Sequence, residues 1–317
     1  MTPPPHRDAR GHGGSQVKIG IVSSQKSSYS TKRLKEAASQ DGHTALVIDF
    51  LKCRLIVELN RLSLFYGSRK VQGLDIALSR VGSSFTEYGL AITYQLELMG
   101  IPVVNSSQAL FVSQNKLRSL QLLARHGFQI AKTVMATSRT AGEMKGAIRE
   151  TIRFAGGVPL VLKPVTGSQG IGVLLAESQQ KAESLFEALW DSGKDFLMQQ
   201  FIREAEGKDI RALVIGGEVV AAMRREAKEG EFRANIHRGG TGVALTLNEE
   251  YANVAVNAAT LMGLQIAGVD LIETTAGPLI LEVNASPGFE GLEKATGENI
   301  AGKMIRYLSH YKEITKG

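Results

Sequence analysis

The sequence predicts an α/β protein, with a small parallel α/β domain over residues 17–107 followed by a two-lobed α+β unit. Three observations predict it. From Val17 to Asn105, short apolar runs alternate with helical patterns, as parallel strands joined by crossover helices require. From Gln129 onward the apolar runs are separated by glycine turns, as in antiparallel hairpins. The length of 317 residues exceeds what a single core usually organises.

The first domain opens with Val17-Lys-Ile-Gly-Ile-Val22, a short buried strand ending in Ser23-Ser24. Tyr29–Gln40 reads as a helix with Leu34, Ala37 and Ala38 on one face, stopped by Asp41-Gly42. Strands follow at Ala45–Phe50 and Asp75–Val81, then a helix over Phe85–Met99 and a return to the sheet through Gly100–Asn105. The domain is Rossmann-like, but no G-x-G-x-x-G follows its first strand, so no dinucleotide is assigned to it.

The second half opens with a helix predicted over Ser107–Gly127, containing Asn115-Lys116-Leu117-Arg118 and closed by His126-Gly127. Phe154–Val173 reads as strand, glycine loop and strand. A helix at Gln179–Trp190 and a strand at Asp195–Phe201 follow. Asp209–Met223 forms a hairpin turning at Gly216-Gly217; Asn248–Gly263 is helical, and a terminal helix spans about Ile300–Tyr311. The expected divisions are a disordered leader at 1–16, the first domain at 17–107, a central lobe at 108–190 and a C-terminal lobe at 191–317.

Ala267–Asn284 is the most informative segment. It reads as two apolar runs joined by Thr275-Ala276-Gly277, a three-residue loop closed by glycine. With Thr274 facing Pro278, counting outward sets Asp270 opposite Glu282, and side-chain alternation puts Asn284 on the face of Glu282. Opposed carboxylates repel, so something should neutralise them. Hard oxygen donors suit Mg²⁺ or Mn²⁺, and the apolar neighbours Val269, Leu271, Ile280 and Val283 favour burial over a solvated surface hairpin.

A second group of residues suits phosphate. The strand Pro159-Leu-Val-Leu-Lys163 runs into Pro164-Val-Thr-Gly167-Ser168-Gln169-Gly170-Ile-Gly172. Glycines there let backbone N–H groups approach an anion closely; taken alone, such a loop is ordinarily a plain hairpin loop. Lys163 ends an apolar strand and either reaches solvent or meets an anion, with Lys116 a candidate second cation. Gln200 and Phe201 end a strand where an adenine edge could sit. Asp209 and Arg211 share a face, and Asp209 opposes Arg224 or Arg225, as a structural ion pair or as part of a substrate site. The basic loop 223–242 carries Arg225, Arg233, Asn235, His237 and Arg238. With Phe232 its only aromatic residue, it is a poor platform for single strands, and its arginines better fit a phosphoryl group. His237 among arginines reads as an orienting donor rather than a base.

Composition excludes several classes. The one cysteine, Cys53, permits no internal disulfide and no cysteine-based zinc site, and it fits a reducing, cytoplasmic location. No run of apolar residues is long enough for a membrane span. The net charge of +6 permits an acidic substrate without establishing one.

Six stretches in order resemble the ATP-grasp superfamily, and within it the RimK-type glutamate ligases: 115–125, 165–173, 209–211, 227–240, 267–270 and 281–288. The resemblance runs from Val17 to about Tyr311. It implies a pre-ATP-grasp domain, a two-lobed ATP-grasp α+β unit, ATP as substrate and Mg²⁺ or Mn²⁺, with two ions. By the same resemblance Lys116, Lys163, Gly167, Ser168, Gln169, Gly170, Gln200, Phe201, Asp209, Arg233 and Asn235 bind ATP. Asp270, Glu282 and Asn284 match metal ligands, and Arg225, Arg233 and Arg238 are the candidates for stabilising the transferring phosphoryl group. The implied partners are glutamate and an acceptor carboxylate, chiefly the C-terminus of a small-subunit ribosomal protein, in a homotetramer that binds neither nucleic acid nor membrane. A small-molecule acceptor is the alternative, and a non-catalytic ATP sensor the alternative of another class. Gln200 departs from the family's Glu, and the order Arg224-Arg225-Glu226 departs from its charge pattern.

Overall fold

The computed structural model describes residues 16–82, 86–136, 145–167, 170–191, 195–205, 207–229, 231–234 and 239–316. The first domain contains β1 (Lys18–Val22), α1 (Tyr29–Gln40), β2 (Thr44–Ile48), β3 (Cys53–Glu58), β4 (Arg61–Tyr66), β5 (Arg69–Lys70), β6 (Ile76–Ser79), α2 (Thr86–Leu98) and β7 (Val103–Val104). Its main sheet is parallel, in the order β2-β1-β6-β7. Helix α1 has the predicted bounds because Ser28 caps it, accepting from the Thr31 N–H, and Gly42 follows it in the left-handed region. The antiparallel sheet β3-β4-β5 was not anticipated. The chain between residues 51 and 74 turns at Leu59-Asn60, where Asn60 takes a positive φ of 57°.

The single helix expected over 107–127 is two, α3 (Ser107–Ser113) and α4 (Lys116–Arg125). Asn115 breaks the run: its side chain accepts from the Arg118 N–H and starts α4 afresh. The central lobe continues with β8 (Thr133–Ala136), α5 (Lys145–Phe154), β9 (Leu160–Pro164), β10 (Leu174–Ala176), α6 (Gln179–Asp191) and β11 (Phe196–Gln200). Phe154 therefore ends a helix rather than opening a strand. The sheet order is β10-β9-β11-β8, so the central sheet reclaims chain beyond residue 190.

The last part holds β12 (Lys208–Ile215), β13 (Glu218–Glu226), β14 (Thr241–Ala244), α7 (Glu249–Leu261), β15 (Ile266–Thr274), β16 (Gly277–Asn284), α8 (Glu290–Thr296) and α9 (Ile300–Lys316). Its antiparallel sheet is ordered β14-β13-β12-β15-β16. One face packs on α7 through Ala255, Ala258 and Ala259; on the other, Leu213 and Ile215 share a core with α1, β1 and α9. The N-terminal domain and the C-terminal sheet are therefore joined by a continuous core rather than linked loosely. No helix among the described residues is long and apolar enough to cross a membrane.

Candidate active site

A cavity of about 570 Å³ lies between the carboxyl edge of the parallel sheet, the central sheet and the C-terminal sheet. Lys116, Lys163, Gly167, Gly170, Gln200, Phe201, Asp209, Arg225, Arg233, Asp270, Glu282 and Asn284 all line it. Ser168, Gln169, Asn235 and Arg238, also expected at the site, lie outside the described residues. Folding thus brings three distant stretches of chain onto one space.

At the central-lobe end, the start of α4 is stitched to the glycine loop. Lys116 N–H donates to Val165 O at 3.0 Å, and its Nζ donates to Gly167 O at 2.6 Å. Lys163 is 6% exposed, and its Nζ donates to Gln199 Oε1 at 2.8 Å. Gln199 in turn donates to Thr133 Oγ1, which fixes the amide that orients the lysine. Burial is the main influence on Lys163 and pushes its pKa down to about 8; Glu282 opposes the shift and Lys116 adds to it. An amine with this pKa is still mostly protonated at neutral pH, and a bound anion would raise the pKa again.

Arg233 lines the cavity, but its guanidinium is spent on the loop. Its Nη1 donates to Gly170 O and Val173 O at 3.2 and 3.0 Å, while Glu231 holds the rest of the guanidinium. Phe201 and Phe232 meet edge to face at 6.4 Å and give the cavity an apolar wall.

The C-terminal sheet supplies the charged floor. Strand pairing sets Asp209 opposite Arg225, Arg211 opposite Asp270, and Asp270 opposite Glu282. The last pairing agrees with expectation, but the route to it differs. The hairpin turn is tighter than predicted, with Thr274 facing Gly277, and a bulge between Asp270 and Leu271 absorbs Leu281 and restores the register. Asp270 is 4% exposed; Arg211 grips both its oxygens, and Arg225 Nη2 reaches its Oδ2 at 2.8 Å. Burial alone would raise the Asp270 pKa, but Arg211 and Arg225 outweigh it and hold the carboxyl below the usual range. Arg225 also binds both oxygens of Asp209, at 2.6 and 2.7 Å. Two arginines, rather than a metal alone, therefore relieve the repulsion expected at Asp270. Arg225 itself is committed to two carboxylates.

Among the described residues no three His, Cys, Asp or Glu converge, so a metal site here rests on two carboxylates and an amide. The donors fit a hard divalent cation. Glu282 lines the cavity with no hydrogen bond or ion pair among the described residues, and Asn284 Oδ1 accepts only from Ser286 N–H, at 2.9 Å. Asp270 would contribute through the one lone pair, on Oδ1, that its arginines leave unused.

Arg211 and Gln199 hold Asp270 and Lys163 in place, roles that no motif in the sequence marks. The signal for Arg211 was its shared face with Asp209; what was missing was that β12 also pairs with β15.

An antiparallel two-lobed unit closing such a cavity against a parallel α/β domain defines an ATP-grasp ligase, an enzyme that joins a carboxylate to an amine at the expense of ATP. The RimK domain protein ATP-grasp from Sphaerobacter thermophilus DSM 20745 has this fold, with a TM-score of 0.70 and 22% identity, covering 92% of this chain and 99% of that one. Within the class, the chain belongs to the RimK-like ATP-grasp family: the RimK-like ATP-grasp domain matches residues 113–308, and the RimK PreATP-grasp domain matches residues 17–110. It is 46% identical over 292 residues to a probable alpha-L-glutamate ligase of Cellvibrio japonicus (strain Ueda107), covering 92% of this chain and 95% of that protein. A probable alpha-L-glutamate ligase of Methanococcoides burtonii is 43% identical over 300 residues, covering 95% of this chain and 98% of its own length.

Proposed function

We propose that the protein is an ATP- and Mg²⁺- or Mn²⁺-dependent α-L-glutamate ligase that adds glutamate to the C-terminal carboxylate of a small-subunit ribosomal protein. One observation carries the reading: Lys116 and Lys163 face the same cavity as Glu282 and Asn284, in a chain related over its length to proteins named glutamate ligases. The resemblance to RimK-type enzymes supports the ribosomal acceptor, and the net charge of +6 suits an acidic one.

A carboxylate is a poor electrophile, so it is activated first. An acceptor oxygen attacks the γ-phosphorus of ATP, an O–P bond forms, the β–γ bridge breaks and ADP leaves. The glutamate amine then attacks the acyl carbon; the C–N bond forms, the C–O bond to phosphate breaks, and the amine loses a proton. Lys116 and Lys163 offset charge on the transferring group, and the glycine loop held by Arg233 covers it. Glu282 and Asn284, with Asp270, would hold the divalent cation, which supplies further charge neutralisation on the phosphates when bound.

The test is incubation with ATP, Mg²⁺, glutamate and purified ribosomal proteins, read by mass spectrometry and ADP release. Glutamyl increments on one small-subunit protein are expected. Increments only on small molecules would move the acceptor assignment, and ATP binding without turnover on any carboxylate would replace the ligase with a sensor.

A further inference from the structure

The cavity has a further polar wall that the ligase reading leaves unassigned. Its wall is the carboxyl edge of the parallel sheet. Arg80 follows β6, Ser23 follows β1, and Ser28 with the first turn of α1 lines the same space. Arg80 N–H donates to Val22 O at 2.8 Å and ties the residue to the sheet. Its guanidinium makes one hydrogen bond among the described residues, from Nη2 to Pro287 O at 2.8 Å, and no carboxylate balances it. Burial acts on it unopposed and pushes its pKa down to about 10. Arg211 and Arg225, by contrast, each face carboxylates. Beside Pro287, Ser286 also lines the cavity, and its buried hydroxyl has no hydrogen-bond partner.

A partly buried guanidinium with most of its donors unused favours an anion that would answer it. An unused hydroxyl and a helix N-terminus on the same space favour an anion too. The phosphates have their own cations, Lys116 and Lys163, on the central lobe. The acceptor carboxylate must keep an oxygen nucleophilic, which a bidentate guanidinium would damp. The amine-bearing substrate has carboxylates that take no part in the chemistry.

We propose that Arg80, assisted by Ser286, forms the subsite that holds a non-reacting carboxylate of the incoming amino acid and so aims its amine at the acyl phosphate. The inference rests on the ligase reading above and adds to it the group that recognises the nucleophile.

The experiment compares wild type with Arg80→Gln and Arg80→Lys, and with Ser286→Ala as a milder variant. Losing a charge-assisted hydrogen bond should raise KM for glutamate roughly 10- to 100-fold in Arg80→Gln. Arg80→Lys should recover part of the loss, and kcat at saturating glutamate should fall much less than KM rises. ATP affinity, read by calorimetric titration without glutamate, should stay at the wild-type value. Glutamine and isoglutamine as competitive inhibitors identify the carboxylate: the analogue whose inhibition is insensitive to Arg80→Gln is the one lacking it. An unchanged KM for glutamate overturns the proposal. So does a parallel loss of ATP affinity in both variants, which would mean that Arg80 only braces the loop at Pro287. A wild-type enzyme that incorporates another amino acid instead sinks the glutamate assignment alone, and the same Arg80 comparison is then made with that amino acid.

Discussion

Raising the pH through 8 should weaken ATP binding, and Lys163 is the group responsible. Its amine is buried, and the fold favours the neutral form, with a pKa of about 8 against the usual 10.5. A pKa of about 8 means that the protonated fraction falls about tenfold between roughly pH 7 and pH 9. If the neutral amine contributes little to holding a triphosphate, the association constant should fall about tenfold over the same range. The sign for stability runs the other way. The unfolded chain keeps this proton up to 10.5 and the folded chain only to about 8. The lysine therefore costs the fold most below pH 8, about 3 kcal/mol by linkage, and the cost fades as the pH approaches 10.5. Lys163→Met should accordingly give an empty protein at least as stable as wild type at neutral pH, yet one that binds ATP poorly at every pH. Lys163→Arg keeps its charge throughout and should flatten the pH profile. The assay is calorimetric titration with a non-hydrolysable ATP analogue and Mg²⁺ across this range. A flat profile in wild type, or the same slope in Lys163→Arg, would refute the reasoning.

Three further substitutions probe the floor of the cavity. Glu282→Gln should lower kcat by at least about a hundredfold while leaving the thermal unfolding profile in place; undiminished turnover would count against the metal assignment. Arg225→Leu leaves Asp209 and Asp270 facing each other with one guanidinium fewer, and should cost about 3–5 kcal/mol in urea denaturation. An unchanged midpoint would show that the cluster does not stabilise the sheet. Gly268→Ala would set a Cβ 2.8 Å from the Pro287 side chain and 3.3 Å from Arg211 Cδ. It should cost about 1–3 kcal/mol and displace Arg211 from Asp270, detectable as a rise in the Asp270 pKa by carboxyl NMR.

Much of this architecture is legible where local rules and burial agree. Helix α1 carries its own cap and stop, and the hairpin of β12 and β13 turns at Gly216-Gly217 as its glycines demand, both with positive φ. Helix α3–α4 fails because its apolar pattern is continuous while Asn115 prefers to cap rather than propagate, a choice settled by the bond from Lys116 N–H to Val165 O. The β3–β5 sheet escapes notice because its strands are half-exposed and lack a strict alternation of apolar and polar residues. At the site, residue types and spacing mark Lys163, Asp270 and Glu282 as charged groups in apolar strands. They do not reveal that Arg211 faces Asp270, because that contact depends on which strands become neighbours across 59 residues. Arg80 escapes for the same reason: its cavity exists only once the parallel sheet meets the C-terminal lobe.

The row of charges across the C-terminal sheet gives the reason for centring the proposed cation on Glu282, with Asp270 a lesser ligand. Reading from β13 to β16, the registers set Arg225 beside Asp209, Arg211 beside Asp270, and Asp270 beside Glu282. Two guanidinium groups thus face three carboxylates, and each arginine is already bound to an acid on the inner strands. The uncompensated charge falls on the edge strand, at Glu282, on the side that opens to the cavity. The bulge beside Asp270 decides this outcome. Without it, the tighter turn would pair Asp270 with Leu281, and Glu282 would present its carboxylate to the opposite face of the sheet. With it, the acid lies near Lys163, whose charge it favours. The fold therefore sets one cation and one anion in partial balance across the cavity, and under the proposed reading a nucleotide with its divalent ion would satisfy both at once.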